Sequence, residues 1–138
     1  MVDVDGVGIK SSGGTALFQA ATKGFVEVVR FLVEEGKADV DKARTSDGFT
    51  PLLMAVQNGH LDVVRFLVEE GKADVDKVNN NSQTPINIAA DCGNLEIVRF
   101  LLSKGVDCTI KDKWGDTPLA SARAKGHAEV AAALAGKK

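Results

Sequence analysis

Few residues in this chain stand at spacings that could do chemistry, and each such set is incomplete. Residues 8–15, GIKSSGGT, have the GxxxxG spacing of a phosphate loop. In such a loop backbone amides cradle phosphate oxygens and a lysine reaches the terminal phosphates. Gly14 stands where that lysine must be, and no strand-like run precedes it, so nucleotide binding is not expected. The DVD triplets at 3–5, 39–41 and 74–76 place two carboxylates close together, yet none has the DxDxDG start or the Glu at position twelve of a calcium loop. Asn80-Asn81-Ser82 is a glycosylation sequon, which matters only on a secreted chain. The two histidines, His60 and His127, each follow a glycine at equivalent places, which points to a repeated structural role rather than catalysis. Glu34-Glu35 and Glu69-Glu70 fall at solvated helix ends. Cys92 and Cys108 have neither CxxC spacing nor a histidine cluster near them. A disulfide scaffold is not expected, and reduced thiols fit a reducing compartment. Cys108 reads as a small apolar filler. Cys92, near the end of a helix, is expected to react first with a thiol reagent. Nothing pairs a nucleophile with a base or gathers three metal ligands. No enzyme activity, metal or cofactor is expected.

The elements that hold these residues repeat. In residues 50–71, TPLLMAVQNGHLDVVRFLVEEG, Thr50 is placed to cap a helix that Pro51 opens, where a missing N–H costs nothing. Gly59 stops that helix and His60 opens a second. The second is apolar at 61, 63, 64, 66, 67 and 68, with Asp62, Arg65 and Glu69 as its polar stripe. Helices this short are marginal alone, so another element must pack against both. The same pattern opens at Thr15, Thr50, Thr84 and Thr117, separated by 35, 34 and 33 residues. Residues 28–42, VVRFLVEEGKADVDK, reappear unchanged at 63–77. In the first repeat the spacing predicts helices over 16–23 and 26–34.

With TPL at 50–52 and 117–119, GH at 59–60 and 126–127, and ADV at 38–40 and 73–75, the chain resembles the ankyrin repeat over about nine-tenths of its length. The resemblance implies an all-α repeat solenoid of stacked helix-turn-helix units joined by β-turn fingers. Residues 1–14 are a partly repeat-like lead-in, and 15–138 the repeat domain, with repeats at about 11–45, 46–79, 80–112 and 113–138. Connectors 36–49, 71–83 and 105–116, rich in Gly, Asp, Asn and Lys, read as turns. Lys37 and Lys72 look like insertions against the family pattern, and 43–49 carries one residue more, so the second finger should be longer. Gly48 and Gly115 stand two residues before the Thr, where φ > 0 is needed. Ser82 replaces glycine in the third finger, so one of Asn79, Asn80 and Asn81 is expected to take that conformation.

The family often carries a histidine after Thr-Pro-Leu that ties neighbouring loops together. Here Phe18, Leu53, Asn87 and Ala120 stand there, so the stack should lean on apolar burial. The expected core is Leu17, Ala20, Val29, Leu32, Leu52, Ala55, Val64, Leu67, Ile86, Ala89, Val98, Leu101, Leu119 and Ala122. The alanine-rich run 128–135 is expected to close the array as a terminal repeat with a smaller, less apolar outer face.

Charge narrows the partners. With a net charge of −2 and 26% charged residues, the chain lacks the basic excess of a nucleic-acid or anionic-membrane binder. It has no 18-residue apolar run to span a membrane. The start, MVDVDGVGIKSS, lacks the basic-then-apolar order of a signal peptide, so an intracellular, cytoplasmic monomer is expected.

A curved repeat array offers a long concave face. In the resembling family finger tips and the exposed side of each first helix build it and take up another protein. Carried onto this chain, that face comprises Ser12, Thr22 and Lys23, then Asp47, Phe49, Gln57 and Asn58. The third repeat adds Asn81, Gln83, Asp91 and Cys92, and the fourth Trp114, Asp116 and Lys125. Trp114 and Phe49 are the large aromatics among them. Each is either an interface anchor or a ring folded over the neighbouring finger. Two other readings stay open: an engineered or purely structural stack, suggested by the verbatim duplication, and a piece of a larger multidomain protein, suggested by the repeat-like 3–5.

Overall fold

In the computed structural model, residues 15–136 are described, and among them lie eight helices and no strand. They are α1 (Ala16–Lys23), α2 (Val26–Glu34), α3 (Pro51–Gln57), α4 (Leu61–Glu69), α5 (Pro85–Cys92), α6 (Leu95–Ser103), α7 (Pro118–Ala124) and α8 (Ala128–Ala135). The chain divides into two compact units, Met1–Asp74 and Val75–Lys138, each holding two helical hairpins. In the first unit α1 packs against α2 and α3, and α4 against α2 and α3. In the second, α5 packs against α6 and α7, and α8 against α6 and α7. This is the architecture of an all-α repeat solenoid.

Every first helix begins alike. The Thr15, Thr50, Thr84 and Thr117 hydroxyls accept the amides of Phe18, Leu53, Asn87 and Ala120 at 2.9–3.2 Å. Each thereby satisfies one of the donors that a helix start leaves open. Proline opens α3, α5 and α7. The first helices end in glycines of positive φ, and Gly24 and Gly93 are constrained twice. Besides φ values of 78° and 74°, a Cβ at either would fall 2.6 Å from Nδ1 of His60 or His127. The histidine of the next hairpin therefore lies on a surface that only glycine leaves open.

The core follows the predicted positions, with one exception. Leu119 is half-buried rather than buried, because among the described residues no hairpin follows the last one. In α8, Val130 and Leu134 turn inward while Ala128, Ala132 and Ala135 stay exposed. The positions that lack the family's histidine do not all turn to apolar packing. Phe18 and Leu53 are buried. Asn87 instead completes a capping box, its Oδ1 accepting the Thr84 amide at 2.8 Å. Its Nδ2 also donates to the Ile110 carbonyl at 3.4 Å, so one polar tie to the neighbouring loop survives.

The fingers are closed turns. The Arg44 amide bonds the Phe49 carbonyl five residues on, whereas Asn79–Gln83 and Asp112–Asp116 close over four, so the second finger is longer by one residue. Ser82 itself takes φ 59°, and Asn79, Asn80 and Asn81 do not take positive φ. The amide frame of the turn fixes which position is left-handed, two before the threonine as at Gly48 and Gly115, and overrides the preference of asparagine. The inserted Lys37 and Lys72 are left-handed too, at 56° and 59°.

Candidate partner-binding surface

Ser12 lies outside the described residues. In the first unit Lys23, Gln57 and Asn58 are exposed and Thr22 half-exposed. The ends of α1 and α3 are joined there. The Thr22 carbonyl accepts from Asn58 Nδ2 at 3.1 Å and lies 3.0 Å from His60 Nε2. A carbonyl only accepts, so Nε2 carries the ring proton.

Phe49 is buried and does not belong to the surface. It stands at the N′ position before the Thr50 cap, where an apolar residue characteristically packs toward N4, here the buried Met54. That spacing was readable in the sequence. In its place the second finger presents Arg44 and Asp47. Arg44 lies 4.7 Å from the centre of the Phe18 ring and bonds Asp47 at 3.1 and 2.6 Å. Those bonds from the Arg44 guanidinium hold the Asp47 carboxyl below its usual range and raise the guanidinium in return. Sequence reasoning missed Arg44; its signal was an arginine three before an aspartate in a turn.

The second unit brings Asp91, Cys92 and Lys125 together across α5 and α7. Lys125 Nζ bonds Asp91 Oδ1 at 2.8 Å, and His127 Nε2 lies 3.0 Å from the Asp91 carbonyl, as His60 does from Thr22. The bond to Asp91 raises the Lys125 ammonium above its usual value. Cys92 is exposed, yet partial desolvation and then the Asp91 charge push its thiol up. Desolvation and the Asp91 charge outweigh the opposing Lys125 charge and disfavour the thiolate that a nucleophile requires. The finger residues Asn81, Gln83 and Asp116 are half-exposed and built into turns. The Gln83 side chain accepts from Asn79 at 2.9 Å, and the Asn81 carbonyl accepts the Lys113 amide at 2.9 Å, linking two fingers. Asp112 Oδ1 accepts the amides of Trp114 and Asp116 at 3.0 and 2.9 Å. On that fixed turn Trp114 is 60% exposed, with Lys113 Nζ 5.1 Å from its ring centre.

The DVD triplets have a use that the sequence did not disclose. Asp41 accepts the Asp74 amide and Asp76 the Asp107 amide, so in the triplets 39–41 and 74–76 the last carboxylate binds the backbone of the next repeat, while 3–5 lies outside the described residues. Among the described residues no three His, Cys, Asp or Glu side chains gather as metal ligands, and no helix is long and apolar enough to cross a membrane.

Paired short helices, threonine caps and finger turns recurring at this period define a helical repeat protein. The family patterns make it specific. Ankyrin repeats in three copies match residues 2–79, and ankyrin repeats in many copies match residues 67–122. This chain belongs to the ankyrin-repeat family. Comparison with curated proteins finds no match. Ankyrin repeats are generally protein–protein interaction modules and typically not enzymes.

Proposed function

We propose that this chain binds another protein through its finger tips and the exposed ends of its first helices, without chemistry of its own. The observation that carries this is Trp114, a large ring held in water on a turn whose backbone is already fixed. An indole in that setting costs little ordering on binding, and tryptophan is the commonest interface anchor. Asp91, Cys92 and Lys125 extend the same surface in the second unit. Thr22, Lys23, Asp47, Gln57 and Asn58 form its counterpart in the first. The small negative net charge fits a protein partner better than a nucleic acid or an anionic membrane. The array over 15–138, in repeats of about 11–45, 46–79, 80–112 and 113–138, is part of this reading, as is a cytoplasmic setting.

The test is lysine-directed crosslinking to proteins captured from a lysate, with the crosslinked sites mapped. Crosslinks concentrated at Lys23, Lys113 and Lys125 are expected. Crosslinks confined to Lys72 and Lys104, beside the second helices, would place the contact on the other side.

A further inference from the structure

Of the six asparagines, only Asn58 stands before a glycine. That pairing favours a general side reaction of asparagine, in which the next backbone nitrogen attacks the side-chain amide carbon. Glycine has no Cβ to hinder the approach. Asn58 is exposed at the end of α3, so water and base reach it. Its geometry holds the reaction shut. Ring closure needs the Gly59 nitrogen to swing into line with the Asn58 Cβ, far from the observed ψ of 3°. The Gly59 amide donates to the Val56 carbonyl at 3.1 Å, and Asn58 Nδ2 donates to the Thr22 carbonyl at 3.1 Å. Both bonds must open before nitrogen and carbon meet.

We propose that Asn58 is a site of spontaneous deamidation, gated by local opening where α1 and α3 end, and that the conversion runs one way. Once the last turn of α3 opens, base removes the Gly59 amide proton and the nitrogen bonds to Asn58 Cγ. The Cγ–Nδ2 bond breaks and ammonia leaves with a proton, giving a cyclic imide. Water then cleaves one of the two imide C–N bonds. Cleavage at Cγ leaves aspartate at position 58. Cleavage at the main-chain carbonyl leaves isoaspartate, with the backbone routed through Cβ. Nothing is oxidised or reduced. Either product carries a carboxylate, which only accepts, so its bond to the Thr22 carbonyl does not re-form. His60 Nε2 is left alone on that carbonyl. The third finger supplies an internal comparison. Asn80 is exposed and Asn81 half-exposed, but residues with a Cβ follow both. Asn58 belongs to the surface proposed above, yet this chemistry does not depend on that role.

Peptide mapping by mass spectrometry tests this, on the full chain held at mildly alkaline pH and sampled over weeks. Asn58 should convert before Asn80 and Asn81. It should do so roughly tenfold more slowly than in a free peptide of residues 52–65, as expected when two ordinary hydrogen bonds must open first. In denaturing urea the two rates should coincide. Asn58→Asp, which reproduces one product, should lower the melting temperature. A folded-state rate equal to that of the peptide would overturn the gating. Conversion of the third finger before Asn58, or none at Asn58, would overturn the site. An Asn58→Asp variant as stable as the unmodified chain would overturn the lasting loss of the bond to Thr22.

Discussion

Ser82 shows how a hydrogen-bonded frame dictates conformation against residue preference. A left-handed conformation costs a residue with a Cβ about 1–2 kcal/mol, while glycine's larger unfolded-state freedom offsets part of the gain. Ser82→Gly should therefore stabilise the protein by ~0.5–1 kcal/mol in urea denaturation. A lower midpoint would mean that the serine side chain contributes something the turn needs. Asp47 carries a pH signature. Its folded pKa is depressed, so the Arg44 pairing stabilises the fold above the ordinary carboxylate range and is lost as pH falls toward the folded value. Asp47→Asn keeps an acceptor for the Phe49 amide but removes the charge. It should lower the melting temperature modestly at pH 7, as partly exposed pairs contribute under ~1 kcal/mol. The gap from the unmodified protein should close below the carboxylate range. A gap that persists there would remove the ion pair as its cause. Phe49 illustrates what residue type alone conceals: a ring beside polar finger neighbours reads as surface, and only its N′ register shows that it faces inward.

Helix limits were the most legible feature. The Thr15 cap, the stop at Gly24 and the apolar spacing of the second helix act locally, so the predicted limits 16–23 and 26–34 are those observed. Ties between repeats were less legible because they join residues more than twenty positions apart. His60 and His127 each bond a carbonyl of the preceding repeat and Asn87 the Ile110 carbonyl in the loop after its own hairpin, and of the three only the two histidines announced themselves by repetition. Small residues mark the close approach of first helices. Ala89 is fully buried on α5, which packs on α6 and α7. Ala89→Leu should overpack it and cost ~1–3 kcal/mol. An unchanged denaturation midpoint would contradict the register assigned to the first helices.

At the scale of the molecule, the family was legible because a period near 33 residues repeats every local signal in phase. The surface was only partly so. Its backbone positions follow from the repeat, but which side chains stand in water depends on ties such as Arg44–Asp47 and Lys125–Asp91, which no periodicity encodes. The binding reading rests most heavily on Trp114. The measurement that tests it most directly is the affinity of the crosslink-identified partner for the unmodified chain and for Trp114→Ala. The account predicts a loss of at least about 2 kcal/mol, roughly thirtyfold, with the melting temperature unchanged. A loss under ~1 kcal/mol would remove Trp114 from the interface and, with it, the surface proposed here.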